Sequence, residues 1–261
     1  MTRAVVFAYH DVGVRCLAVL LAQGVEVPLV VTHQDDPGEN LWFESVARFA
    51  RLRGIPVLAP EDPNRPELID QVRALAPELI FSFYYRALLG DELLRCAARG
   101  ALNMHGSLLP KYRGRAPVNW AIIKGERETG ASLHYMERKP DAGALVDQQA
   151  VPILPDDTAL EVFHKVTWAA ELVLHRSLPL LVEGRAPRRP LRLLRSRVCS
   201  EPAQHADHAP CFYWEQGRCY ADGRDGRRLE ILAFELDGVP LTPPAFHARY
   251  GARLIALGDP E

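Results

Sequence analysis

The sequence predicts an α/β protein: a mainly parallel sheet layered with helices, then a small strand-rich C-terminal subdomain. Three observations carry this. Short unbroken apolar runs recur through the first half of the chain. Helical apolar spacing fills the gaps between them. After residue 127 the pattern changes to paired strands, one long helix and a different tail. Strands alternating with helices imply βαβ crossovers. Parallel strands are buried on both faces, so uninterrupted apolar runs are expected of them.

The elements follow in order. Val5-Val6-Phe7-Ala8 reads as a first strand, and residues 13–23 as a helix through Val14, Leu17, Leu20 and Leu21. Val27 to Val31 is a second strand, ended by the turn signal Asp35-Asp36-Pro37-Gly38. Residues 41–53 carry Leu41, Phe43, Val46, Phe49 and Leu52 at helical spacing, with Gly54 where a C-cap belongs. Ile55 to Leu58, Leu79 to Phe83 and Ala101 to Met104 are three more strands, separated by helices over 66–75 and 90–98. Thr129 to Met136 and Ala144 to Ile153 read as two strands joined by Glu137 to Gly143. Thr158 and Glu161 have capping-box spacing. They open a helix through Leu160, Phe163, Val166, Ala170 and Leu174 that runs to about Leu181 and is broken by Gly184 and Pro187.

The tail has its own texture. Arg185, Arg188, Arg189, Arg192, Arg195 and Arg197 crowd a Pro-containing stretch that reads as a solvated connector, with an electrostatic patch as the alternative. Residues 218–236 read as a hairpin turning at Gly223-Arg224-Asp225-Gly226. A short helix is expected near Phe246 to Gly251. Apolar residues fall on both faces of the stretch from Leu229 to Leu236, which predicts a sandwiched strand.

Composition narrows the classes. The 261 residues are 48% hydrophobic and 25% charged, which excludes a wholly disordered chain, a collagen and a coiled coil. With 31 Lys and Arg against 33 Asp and Glu, the net charge of −2 disfavours binding to nucleic acid. No run approaches the ~18–20 apolar residues of a membrane helix, so no membrane partner is expected. The segment Met1 to His10 turns polar too soon for a signal peptide. Cys16, Cys96, Cys199, Cys211 and Cys219 are scattered and form no C-x-x-C pair. They predict reduced thiols, a cytoplasmic setting and no metal site.

In open α/β sheets, ligands bind beyond the carboxyl ends of the strands. That directs attention to Tyr9 to Asp11, Tyr84 to Arg86 and Asn103 to Ser107. Asn103 and His105 share one face of a strand, because side chains alternate with a period of two. An amide can stabilise a developing oxyanion and an imidazole can move a proton, which suits acyl transfer. Asp141, in the loop Lys139-Pro140-Asp141-Ala142-Gly143, can orient an imidazole and stabilise its charge. Each of the three also has a plain structural reading, so spacing alone stops at a candidate acid–base site.

The run from Asn103 to Trp120 contains N-x-H-x-S-L-L-P, and Asp141-Ala142-Gly143 supplies a downstream D-x-G. These motifs resemble the signature of the 10-formyltetrahydrofolate-dependent formyltransferases. The longer form, H-G-S-L-L-P-K-Y-R-G-R-A-P with a following N-W, is similar to the subgroup that formylates UDP-4-amino-4-deoxy-L-arabinose in polymyxin resistance and lipid A modification. Val5 to Asp11, Phe81 to Arg86, Thr32-His33, Asp36 to Glu39 and Pro155 to Asp157 resemble that subgroup too. The likeness covers about residues 3–183.

The resemblance implies a Rossmann-like catalytic core over 1–183 and a small, atypical subdomain over 184–261. It implies 10-formyltetrahydrofolate as cosubstrate and no metal. Asn103, His105 and Asp141 would be the catalytic trio. Phe83, Tyr84, Tyr85, Arg86, Ser107, Leu108, Leu109, Pro110 and Gly143 would border the folate. Tyr9, Tyr112, Arg113 and Arg115 would meet a sugar-nucleotide acceptor, Arg being suited to phosphate. Hydroxyornithine and methionyl-tRNA are alternative acceptors, a catalytically inactive folate-binding module is a further reading, and a homodimer is open. The segment Ala8 to Gly13 lacks the Gly cluster that would cradle a phosphate after the first strand, which disfavours glycinamide ribonucleotide.

Overall fold

The computed structural model describes residues 2–34, 43–186, 191–204, 211–223, 226–236, 239–250 and 255–256. It divides into two compact units, Met1–Arg188 and Arg189–Glu261.

The first unit alternates strand and helix: β1 (Arg3–Ala8), α1 (His10–Ala22), β2 (Glu26–Val31), α2 (Val46–Arg51), β3 (Val57–Leu58), α3 (Pro66–Ala74), β4 (Leu79–Phe83), α4 (Asp91–Leu94) and β5 (Ala101–His105). It continues through α5 (Pro117–Ile123), β6 (Glu128–Tyr135), β7 (Leu145–Pro152) and α6 (Ala159–Val182). The seven strands form one sheet in the order β3-β2-β1-β4-β5-β6-β7. The first five run parallel, and β6 and β7 are antiparallel additions. The winding direction reverses between β1 and β4, so the crevice of this sheet lies at their carboxyl ends.

Both faces of the sheet are dry. Ala4, Val6 and Ala8 of β1 pack into a core that includes Leu17 and Leu20 of α1 and Val166, Ala170 and Leu174 of α6. Val5 and Phe7 point the other way, against Leu68 and Val72 of α3 and Leu93 of α4. This two-sided burial explains the unbroken apolar runs. The capping box is present: Glu161 N donates to Thr158 Oγ1 at 3.3 Å, and Thr158 N donates to Glu161 Oε2 at 2.7 Å.

Several boundaries differ from the expected ones. The helix expected over 41–53 begins only at Val46, because the Ser45 hydroxyl caps it by accepting from Arg48 N at 3.3 Å. Phe43 stays outside and stacks on His10, with ring centres 3.8 Å apart. The helix expected over 90–98 is the single turn Asp91–Leu94. Helix α5 is too short for the apolar spacing to signal it. The turn Asp35 to Gly38, and the segments Asp36 to Glu39 and Leu41, lie outside the described residues.

The second unit contains β8 (Leu191–Pro202), β9 (Cys211–Glu215), β10 (Arg218–Asp222), β11 (Arg227–Leu236), β12 (Val239–Leu241), α7 (Pro243–Tyr250) and β13 (Ile255–Ala256). The expected hairpin is the antiparallel pair β10 and β11, its turn residues Arg224 and Asp225 lying outside the described residues. Two expectations fail here. The arginine-crowded stretch is not a connector beyond residue 190: it is β8, paired antiparallel with β11. Arg197 Nε donates to Glu230 Oε2 at 2.7 Å, so this charge is partnered across the ladder. Arg188 and Arg189, and the side chains of Arg192 and Arg195, lie outside the described residues.

Nor is β11 sandwiched between two apolar layers. Its pairing with β8 shifts register between Ile231 and Phe234. A bulge adds one residue and resets which face comes next. Ile231 and Phe234 therefore enter the same core with Phe212 and Phe246, while Leu232 stays 38% exposed. The opposite face holds Arg228, whose guanidinium lies 3.8 Å above the Tyr220 ring. There Tyr213 Oη donates to Asp222 at 3.1 Å.

Candidate active site

Strand β5 sets the position of the site. Asn103 and His105 lie on the same face of β5, and β6 runs antiparallel beside it with Asn103 opposite His134 and His105 opposite Ser132. The loop between β6 and β7 brings Asp141 over this row, with a left-handed φ of +51° at Asp141 itself. Asp141 Oδ1 accepts from Asn103 Nδ2 at 3.4 Å and lies 3.4 Å from His134 Nε2. Asp141 Oδ2 accepts from Gly114 N at 2.8 Å and lies 3.5 Å from His105 Nδ1. The three expected residues therefore meet around one carboxylate.

The electrostatics follow from this geometry. His105 is 6% exposed, and burial pushes its ionisation below the ordinary 6.5. The Asp141 charge and the Tyr112 carbonyl pull the other way without overcoming burial. Burial also opposes the charge on Asp141, but the bonds and charges from His134, His105 and Gly114 N outweigh it and hold the carboxyl at about 2. The resting pair is thus a neutral imidazole facing a carboxylate. His105 Nε2 donates to Tyr112 O at 2.8 Å, while its other nitrogen faces Asp141. A proton arriving on that nitrogen meets a negative charge already in place.

His134 was not among the expected residues. It is 1% exposed, its Nδ1 donates to Tyr135 O at 2.8 Å, and its Nε2 lies 3.2 Å from Asn103 Nδ2 and 3.4 Å from Asp141 Oδ1. Only the strand register places it there.

The expected folate-bordering residues fall into two groups. Ser107 is fully buried, its hydroxyl donating to Lys111 O at 2.6 Å, and Leu109 is 4% exposed. Both hold the loop instead of facing out of it; Leu108 and Pro110 are the half-buried members, and the Leu109–Pro110 peptide is cis. The Phe83 side chain is fully buried in the core, and its backbone reaches the strand end, where its carbonyl accepts from Tyr9 N at 3.0 Å. At Gly143 an added Cβ would collide with Tyr135 O. The close approach it permits is to the protein's own strand.

Tyr84, Tyr85 and Arg86 leave the end of β4. The Tyr84 phenol packs edge-on against Phe163. Its oxygen lies 1.9 Å from where a Cβ on Gly106 would stand, which explains a glycine directly after His105. Tyr85 stacks on His33 with centres 4.2 Å apart, and Arg86 holds its guanidinium 4.7 Å above the Tyr9 ring.

The expected acceptor residues are dispersed. Tyr9 is 2% exposed and ringed by His10, His33 and Phe43. Tyr112 turns away from the trio, its hydroxyl donating to Glu126 Oε1 at 2.8 Å. Arg113 is half-buried and Arg115 exposed, flanking the Gly114 amide that binds Asp141.

Among the described residues no group of His, Cys, Asp and Glu is arranged to hold a metal ion, and no helix is long and apolar enough to cross a membrane. All five cysteines are free thiols.

An amide donor, a neutral imidazole and an ionised carboxylate at the carboxyl end of β5 suit an enzyme of acyl-group transfer. Residues 15–178 match the family model described as formyl transferase, and the chain belongs to that family of formyltransferase enzymes. Among solved structures, phosphoribosylglycinamide formyltransferase from Bacillus halodurans is 26% identical with a TM-score of 0.58, over 68% of this chain and 95% of that one. Glycinamide ribonucleotide transformylase 1 from Symbiobacterium toebii is 22% identical with a TM-score of 0.62, over 71% and 89%. An N-formyltransferase from Helicobacter canadensis, solved with folinic acid and dTDP-3-aminofucose, is 17% identical with a TM-score of 0.61, over 88% and 99%.

Proposed function

We propose that this enzyme transfers the formyl group of 10-formyltetrahydrofolate to the primary amine of a nucleotide-linked amino sugar, UDP-4-amino-4-deoxy-L-arabinose in the first instance, in the cytoplasm. The observation that carries the reading is the convergence of Asn103, His105 and His134 on the Asp141 carboxylate. The amine attacks the formyl carbon, and the carbonyl oxygen gains charge as the new C–N bond forms. Asn103 supplies the donor for that oxygen. Its 3.4 Å contact to Asp141 is long for a hydrogen bond, so this N–H is the one a stronger acceptor displaces. His105 takes the proton of the attacking amine and returns it to the folate nitrogen as the old C–N bond breaks. Asp141 stabilises the imidazolium between these two transfers.

Support for a sugar acceptor comes from coverage. The Helicobacter canadensis enzyme aligns over 88% of this chain, more than Met1–Arg188 alone can supply. The ribonucleotide enzymes align over 68% and 71%. Support also comes from the exposed Arg115, next in the chain to Gly114, whose amide binds Asp141, and suited to a diphosphate.

The test is an assay of purified protein with 10-formyltetrahydrofolate and a panel of amino-sugar nucleotides. Formylation of the UDP-linked 4-amino sugar well above a His105→Ala control is the expected result. If no amino-sugar nucleotide reacts faster than that control, the acceptor reading fails.

A further inference from the structure

The segment after His105 is fastened by two side chains that touch no reacting group in the proposed mechanism. Ser132 Oγ donates to Ser107 O at 2.5 Å and accepts from Leu109 N at 3.0 Å. Gln148 Nε2 donates to Leu109 O at 2.8 Å and to Ser132 Oγ at 2.7 Å. The Ser132 hydroxyl thereby gives its one proton and fills both acceptor positions.

Register explains how these groups meet. His105 pairs with Ser132 across β5 and β6, and Ser132 pairs with Gln148 across β6 and β7. The three form one row over three strands. The far end of the row is itself pinned. Arg176 of α6 donates through Nη2 to Gln148 O at 2.6 Å and to Asp147 Oδ1 at 3.1 Å. The loop geometry is thus carried through the sheet to a 24-residue helix.

We propose that Gln148 is a positioning residue for formyl transfer: acting with Ser132, it fixes the Ser107–Pro110 backbone against which the formyl donor rests. This rests on the reading of that loop as the border of the donor site. Ser107, Ser132 and Leu109 are all buried. A lost bond there leaves an acceptor unsatisfied where water does not readily replace it, and the remaining bonds weaken together. The consequence falls on donor binding, because the loop contributes backbone and the Leu108 and Pro110 side chains to that side of the site.

The variant is Gln148→Met, which keeps length and packing and removes the donor. Its KM for 10-formyltetrahydrofolate should rise about tenfold, the scale of losing the two hydrogen bonds that Gln148 Nε2 donates. Its KM for the amine should stay within about twofold, and its circular dichroism should match the parent, since two such bonds are a small part of total stability. Gln148→Glu provides the rescue, because its carboxyl donates only when protonated. Its affinity for folinic acid, measured calorimetrically against the parent at each pH, should recover as pH falls. An unchanged donor KM in Gln148→Met overturns the assignment. So does a joint fall of both affinities and kcat in step with loss of folded protein. If the parent itself fails to bind folinic acid, the donor reading falls and this inference with it. Equal binding by parent and Gln148→Met removes the Gln148 role alone.

Discussion

Two pairs of histidines show what separates a reactive imidazole from a packed one. His105 and His134 face Asp141 across β5 and β6; His10 and His33 sit at the ends of β1 and β2 among aromatic rings. Burial holds His10 down at about 4 against the opposing charge of Asp11, and it lowers His33 as well, with the Arg86 charge adding to both effects. His105 is lowered by the same cause. Desolvation therefore does not mark the active residue. The mark is the carboxylate opposite the ring, which gives His105 a place to keep a proton. His33 instead uses Nε2 to accept from Arg86 N at 3.0 Å and stacks on Tyr85.

The comparison is broken most directly at the carboxylate. Asp141→Asn and His105→Ala should each lower kcat/KM by about 10³-fold, the scale of lost acid–base catalysis, with the far-ultraviolet circular dichroism unchanged. Retention of near-normal turnover in either variant would remove the trio from the mechanism. Asn103→Ala should cost about 10²-fold in kcat with a smaller change in KM, as for a donor used mainly in the transition state.

His134→Ala should be milder, about tenfold in kcat, because it removes one partner of Asp141 and Asn103 but leaves His105 and Gly114 in place. The pH profile sharpens the contrast. His105 must be neutral to accept a proton, and its ionisation lies below 6.5, so kcat/KM should be level near neutrality and fall only as pH drops below that value. His134→Ala should move this limb, since the two rings and Asp141 interact. His33→Phe preserves the stack on Tyr85. It should leave the limb in place and alter kcat by less than about threefold, as a change outside the proton path.

How much was legible in the sequence follows from the range of each signal. The parallel core was legible because βαβ units are local: apolar runs, caps and helical spacing all lie within a few turns of chain. The Asn103 and His105 pair was legible because strand alternation places them on one face. His134, Ser132 and Gln148 were not, since their partners are set by pairing between strands, and register leaves no local trace. Strand β8 was hidden by its charges. An arginine-rich run looks solvated until an acidic partner such as Glu230 is known to lie beside it. The bulge in β11 misled in the opposite sense, because a strict period of two split one apolar face into two.

One feature of β6 constrains how such a site can change. Ser132 and His134 sit two residues apart on the strand, one serving the loop after His105 and the other the amide of Asn103. A single residue inserted or deleted between β5 and this pair, with the outer pairing kept, would turn both to the opposite face of the sheet. Substitutions can adjust the site one contact at a time, whereas a length change in β6 removes the loop anchor and the second histidine together. The strand works as a fixed ruler between the loop anchor and the second histidine.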